Sequence, residues 1–229
     1  RLWAWEAFAH GAETVCYFRW RQAPFAQEQM HAGLMRPDGV PARGMTEAAQ
    51  VAREIEDLPD VGTTKADVVL VFDYPSQWAW ETLPQGADFD YFELCFSYYR
   101  ALRRAGLSVD IQPADAAALE GYKLALIPGL AHMDKTLNSA LSELDVEVIA
   151  GPRTAQKSAE MSIALPLGPA LPGLDAKVSH VESVPPGTEV QLLNGGSILR
   201  WMETVDDTPD AVERTLDGRI AILSSGKTT

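Results

Sequence analysis

The chain is short of the residues that build metal and redox centres. Among 229 residues there are two cysteines, Cys16 and Cys95, far apart, and four histidines, His10, His31, His132 and His180, scattered singly. Neither set has the spacing of a zinc site or a disulfide framework, so no metal is expected. Two free, buried thiols are expected instead, and they are compatible with a cytoplasmic location. Positive charge is scarce as well: 19 Lys and Arg stand against 32 Asp and Glu, a net charge of −13. That balance excludes broad contact with nucleic acid backbones and argues against acidic lipid surfaces. No apolar run approaches the length of a membrane span.

What remains is ordinary for a globular protein, 46% hydrophobic and 22% charged, with length for one large or two modest domains. The chain opens on Arg1 without a methionine and closes on "GRIAILSSGKTT", a strand-like run with a ragged tail, and so reads as a piece of something longer.

Its first third predicts a helix over 2–9, with Leu2, Trp5, Phe8 and Ala9 on one stripe and Gly11 as the stop. "TVCYFRW" (14–20) reads as a short buried strand. A loop carrying Glu28 and His31 comes next, then turn chemistry in "RPDGVPARG". Thr46 is expected to cap a helix bearing Ala48, Val51, Ala52, Ile55 and Leu58. Residues 59–66, "PDVGTTKA", read as a linker.

Beyond the linker the rhythm restarts. Strands are expected at 67–73, 107–112, 123–129 and 146–151. A helix over about 88–105 is expected to bury Phe92, Cys95, Phe96, Tyr99 and Leu102. A shorter helix capped by Asp134 carries Leu137, Leu141 and Leu144. Strands alternating with helices predict an α/β domain with a parallel sheet, of the flavodoxin-like doubly wound kind. From about 165 a Pro/Gly loop gives way to short strands, so the tail is β-rich from about 175.

Such a sheet invites a nucleotide, but the first strand runs into "DYPSQWAWE", with no glycine-rich turn for a pyrophosphate. It also invites the nucleophilic cysteine of glutamine amidotransferases. Here the third strand ends "IPGLAH", and Cys95 sits in an apolar helix stripe. Asp73 reads as a residue that closes a strand and caps the next segment, or as an acid at the sheet's carboxyl edge. Trp78, Trp80 and Glu81 read as an interface, a sugar-stacking surface or simply a packed loop. Glu28 and His31, at i and i+3, suit recognition of sugar hydroxyls if the segment is helical, and suit a solvated helix face equally well.

"LWAWEAFAHGAETVCYFRWRQAPFAQEQMHAGLMRPDG" decides between these. It resembles the end of the catalytic barrel in glycoside hydrolase family 42 β-galactosidases. An Ala-His-Gly-Ala helix end is followed by a strand ending Phe18-Arg19-Trp20-Arg21, then Glu28-x-x-His31-x-Gly33. The likeness continues through "VVLVFDYPSQWAWE", "YYRALRRAGLSVDI", "KLALIPGL", "GPRTAQKSAE" and "KVSHVESVPPG", nearly the whole chain. It implies that 1–58 close a (β/α)₈ barrel as its seventh helix, eighth strand and eighth helix, and that 67–229 form a flavodoxin-like trimerisation domain.

The resemblance further implies a retaining β-galactosidase acting on terminal β-D-galactosides through two carboxyl groups. Both catalytic glutamates would lie upstream of Arg1, so the chain alone would be inactive. Glu28 and His31 would bind galactose hydroxyls, Phe18 and Trp20 would help line the pocket, and Arg19 and Arg21 carry no assigned role. A homotrimer is implied, with no cofactor and no metal, since the zinc-binding cysteines of some members have no counterpart. A non-catalytic assembly or regulatory module with a flavodoxin-like fold is the alternative.

Overall fold

The computed structural model describes residues 1–59, 62–84 and 86–229, so part of the expected linker at 59–66 lies outside the described residues. The chain divides into two compact units, Arg1–Thr64 and Lys65–Thr229.

In the first unit, helix α1 (Leu2–Ala9) ends at His10 and turns away at Gly11, whose φ of 88° is a conformation that glycine adopts without strain. Helix α2 spans Arg43–Glu56. The two are tied by the Trp5 indole, which donates to the Glu54 carboxylate at 2.8 Å. Thr46 is not the cap that the sequence predicts. α2 starts three residues earlier, behind Ala42, with no side-chain cap, because solvent satisfies the first amides of an exposed helix end.

Residues 14–20 form no strand. One isolated parallel bridge, Arg21 with Met35, is the nearest approach to a ladder. A helix closes its own hydrogen bonds, whereas a strand needs a neighbouring edge, and residues 34–35 bond only to 19–22, past most of this segment. Cys16 is consequently exposed, against expectation.

The second unit is built on a parallel sheet of β1 (Val68–Val71), β2 (Val109–Gln112), β3 (Leu124–Ile127) and β4 (Glu147–Ala150), in the order β2-β1-β3-β4. Every residue of β1 is buried, as a central parallel strand requires. Successive side chains alternate between two cores. Val69 and Val71 join Ile127, Leu137 and Leu141 under α5 (Lys135–Glu143). Val68 and Leu70 join Trp80, Tyr91 and Cys95 under α3 (Tyr74–Thr82) and α4 (Tyr91–Arg104). Each large apolar side chain so buried contributes roughly 1.5–3 kcal/mol.

Three helices start on predicted or recognisable caps. Asp73 accepts from the Ser76 amide at 2.8 Å, Asp90 from Glu93 at 2.7 Å and Asp134 from Leu137 at 2.7 Å. The segment with Trp78, Trp80 and Glu81 is therefore the helix α3, not a loop. α4 also departs from expectation. Its buried side carries Tyr91 and Cys95, while Phe92 and Phe96 face solvent. The sheet covers one side of the helix, and the apolar residues of α4 occupy more than that side.

In the tail, β5 (Val178–Ser183) pairs antiparallel with β8 (Trp201–Val205), β6 (Val190–Gln191) with β7 (Ser197–Ile198), and β9 (Ala211–Arg214) with β10 (Ile220–Leu223). The last residues are not ragged. Val148 donates to the Lys227 carbonyl at 2.7 Å and Ala150 to that of Thr229 at 2.8 Å, which covers the outer edge of β4.

Arg153 joins the tail to the sheet layer. Almost fully buried, its guanidinium lies 3.6 Å from the Trp80 ring centroid, 4.8 Å from Trp201 and 4.9 Å from Phe89. Burial pushes its pKa down to about 10, against the pull of the nearby Glu203 carboxylate. Glu203 is itself raised by burial, although its Oε1 accepts from the Arg153 amide, Gln156 and Trp201. Desolvation outweighs attraction on both sides of this pair.

Candidate functional site

The Glu28–His31 segment is a turn, not a helix. The His31 amide donates to the Glu28 carbonyl at 3.0 Å, and Glu28 has a φ of 60°. The two side chains are therefore gathered by a tight turn rather than by helical spacing.

Backbone bonds hold this loop against residues 19–22. Leu34 donates to the Arg19 carbonyl at 2.8 Å, Met35 to that of Trp20 at 2.7 Å, and Gln22 to that of Met35 at 3.0 Å. The Gln22 side chain reaches the Gln29 carbonyl at 2.6 Å. Gly33 is what permits the approach. A Cβ there would stand 2.7 Å from the Gln22 nitrogen and 2.9 Å from the Arg19 oxygen, closer than any side chain tolerates against backbone.

Four side chains come together on this scaffold. The His31 and Phe18 rings meet edge to face, 6.2 Å apart. The Arg19 guanidinium lies 5.3 Å from the Phe18 centroid and also reaches the Glu28 carboxylate, Nη2 to Oε2, at 3.4 Å. Arg19, unassigned from the sequence, thus sits between an aromatic ring and the acid. Its Nη1 is buried with no hydrogen-bond partner among the described residues. The alternation of Arg19 and Arg21 along the chain signals that one turns inward, without saying which.

Trp20 shares the scaffold through its backbone and projects its ring into solvent. Phe18 and Trp20 are 74% and 64% exposed, and Glu28 and His31 are exposed too. A carboxylate that accepts, an imidazole that donates or accepts, and an aromatic plate can together hold a polyhydroxylated ring.

The residues that invited other chemistries are otherwise engaged. Asp73 is the α3 cap and takes a second bond from Ser76 Oγ at 2.6 Å. The Trp80 indole donates to the Gly129 carbonyl at 2.7 Å within the core, while Trp78 is exposed. Burial pushes the Cys95 thiol up to about 11, so it is protonated near neutrality. Among the described residues no group of three or more His, Cys, Asp or Glu is placed to hold a metal. Among those residues, too, no helix is long and apolar enough to cross a membrane.

Comparison with known proteins gives the family. A profile described as "Beta-galactosidase" matches residues 1–58, and one described as "Beta-galactosidase trimerisation domain" matches 66–218. The chain belongs to the glycoside hydrolase family 42 β-galactosidases. It is 50% identical to the β-galactosidase BgaA of a Thermus species and 44% identical to a β-galactosidase of Thermus thermophilus, each over 99% of its length. It spans about 36% of the length of both relatives. Among solved structures, the β-galactosidase of the psychrophile Marinomonas ef1 superposes with a TM-score of 0.90 at 36% identity. That match covers 99% of this chain and 37% of the other. The enzyme of Halorubrum lacusprofundi gives 0.87 at 35%, covering 99% and 36%.

Proposed function

We propose that the chain is part of a retaining β-galactosidase that hydrolyses terminal β-D-galactosides. Its first unit closes a (β/α)₈ barrel, with residues 1–58 as the barrel's end. Residues 67–229 form a flavodoxin-like, doubly wound domain with a β-rich tail, through which the protein assembles as a homotrimer. Glu28 and His31 bind galactose hydroxyls, and Phe18 and Trp20 line the same subsite. The two catalytic carboxylates come from outside these 229 residues, so the chain alone does not turn over substrate. The protein acts in the cytoplasm without metal or cofactor.

The observation that carries this reading is the convergence of Phe18, Arg19, Glu28 and His31 on one Gly33-pinned loop. A glycosidase subsite works by such positioning: hydroxyls held by a fixed carboxylate keep the anomeric carbon in line with the reacting groups. The large exposed rings of the first unit support the barrel reading, because barrel-end residues make sense against neighbouring strands.

A hybrid tests it. Joined behind the preceding barrel portion of the Thermus BgaA relative, the chain is expected to restore hydrolysis of a nitrophenyl β-galactoside, while the chain alone gives none. In the hybrid, Glu28→Gln is expected to lower kcat/KM by about 30-fold, the worth of a charged hydrogen bond near 2 kcal/mol. Turnover by the chain alone, or wild-type kinetics in the Glu28→Gln hybrid, would overturn the assignment.

A further inference from the structure

Arg19 holds a position that packing alone does not explain. Its side chain is 22% exposed against 54% for its partner Glu28. Its Nη1 is sealed from solvent with no acceptor among the described residues. Sealing part of a charged fork without an acceptor is costly, and native chains do so rarely. Departures of this kind collect where function requires the group.

The backbone sets where the guanidinium points. The Arg19 carbonyl accepts from the Leu34 amide at 2.8 Å and the Trp20 carbonyl from Met35 at 2.7 Å, so residue 19 is fixed to the loop that carries Glu28 and His31. From there the guanidinium lies 5.3 Å from the Phe18 centroid, on a ring that the His31 imidazole also meets edge to face. Nη2 donates to Glu28 Oε2 at 3.4 Å. That bond takes one carboxylate oxygen and leaves Oε1 without a partner among the described residues. A planar guanidinium donates in fixed directions, so it sets the plane of the acid it holds. The contact is long and half open to solvent, too weak to serve stability. What it fixes is orientation.

We infer that Arg19 is a positioning residue for the proposed galactoside site: it holds Glu28 by Oε2 and thereby presents Oε1 to one hydroxyl of the galactose ring. The inference rests on the β-galactosidase reading above and adds a role for Arg19 within it. Arg19 acts on the sugar through Glu28 and does not touch it. With Nη1 sealed and the guanidinium held beside Phe18, Nη2 is the working donor, and the Glu28 carboxylate stands between that donor and the ligand.

Kinetics of the hybrid with the Thermus BgaA barrel portion test this, with circular dichroism to confirm folding. Arg19→Ala is expected to lower kcat/KM for a nitrophenyl β-galactoside by about tenfold. The loss falls mostly in kcat, since an ill-set carboxylate still binds the ring but no longer lines it up. Arg19→Lys keeps the charge without the fork and is expected to lose about threefold. It carries the same test should the alanine variant not fold. Arg19→Ala/Glu28→Gln is expected to be no worse than Glu28→Gln alone, because Arg19 works through Glu28. A residue that merely props the fold would multiply the two losses. Free guanidinium at millimolar concentration is expected to restore part of the Arg19→Ala activity and none of the double variant's. Arg36→Ala, which removes the exposed 2.6 Å pair with Asp38 in the same unit, is expected to keep wild-type kinetics. A folded Arg19→Ala hybrid with wild-type kinetics, or multiplied losses in the double variant, overturns the inference and leaves the β-galactosidase reading standing. A wild-type hybrid that does not hydrolyse the galactoside overturns both.

Discussion

The two units use the same kinds of residue to opposite ends. In the second, Trp80 is sealed between the sheet and Arg153, its indole bonded to the Gly129 carbonyl. In the first, Trp20 stands in solvent and its backbone alone joins the structure. The second unit buries complete apolar clusters on both faces of its sheet. Among the described residues of the first, Ala4 and Val51 are the apolar side chains that reach full burial. Local bonding survives in both, since α1 and α2 form as readily as α3 to α5. What the first unit lacks is a sheet, and with it a place to put Phe18, Trp20 and Phe25. Helices are decided by nearby residues, whereas a core is decided by distant ones.

The sharpest way to break this comparison is to truncate one tryptophan in each unit. Trp80→Ala removes a filled volume, a hydrogen bond and the face on which Arg153 rests. It is expected to destabilise the second unit by about 3–5 kcal/mol in urea unfolding. Trp20→Ala is expected to change stability by no more than about 0.5 kcal/mol. Equal losses at the two positions would show that the first unit holds a core as tightly as the second.

Next in size is the cap of α3. Asp73 accepts from the Ser76 amide and hydroxyl, and Ser76 Oγ in turn accepts from the Ala131 amide at 2.9 Å. Asp73→Ala is expected to cost about 1–2 kcal/mol, with Asp73→Asn restoring most of it because the acceptor remains. If the alanine variant is as stable as the wild type, Asp73 is free to serve as an acid at the sheet edge.

The buried polar pair offers a pH test of the same unit. Burial raises the Glu203 pKa above the ordinary 4.5. From 4.5 up to that raised value the folded state holds a proton that the unfolded state has released, so this group's contribution makes stability fall as pH rises. Glu54, in the first unit, runs the other way. The Arg1 side chain holds it down to about 2, so its contribution is present above 4.5 and is lost as pH falls toward 2. Glu203→Gln is expected to remove this fall above pH 4.5 and to leave the acid limb unchanged. Urea midpoints of the two proteins that keep a constant separation across that range would count against it.

These contrasts explain what can be read from the chain. β1 and β3 are unbroken runs of apolar residues, α5 is marked by Asp134, and a break in texture precedes the short strands of the tail. Such signals are local and legible. α3 is hidden because "YPSQWAWE" looks like a loop without its partner Gly129. The two stripes of α4 merge in the sequence because periodicity reports apolar spacing and not which side meets the sheet. β9 (Ala211–Arg214) carries two charged residues in four and pairs with β10 across Gly218, so composition hides it. At the candidate site the residue types are legible through Glu28, His31 and Gly33. The turn at Glu28 and the reach of Arg19 are not, because both depend on how residues 19–22 and 33–35 lie together.

The smallest expected effect bears on Arg19 and Glu28. Their contact at 3.4 Å is partly exposed, with the Glu28 side chain 54% open. Exposed pairs stabilise by about 0–1 kcal/mol and are screened by salt. A double-mutant cycle of Arg19→Ala and Glu28→Ala is therefore expected to give a coupling below about 1 kcal/mol that fades in roughly 0.5 M salt. That would fit a carboxylate kept available for a ligand, lightly oriented by its neighbour. A coupling above about 2 kcal/mol that persists in salt would make the pair a structural contact shielded from solvent. The first unit would then be closer in kind to the second than its exposed rings suggest, and Glu28 would have less freedom to receive a sugar hydroxyl.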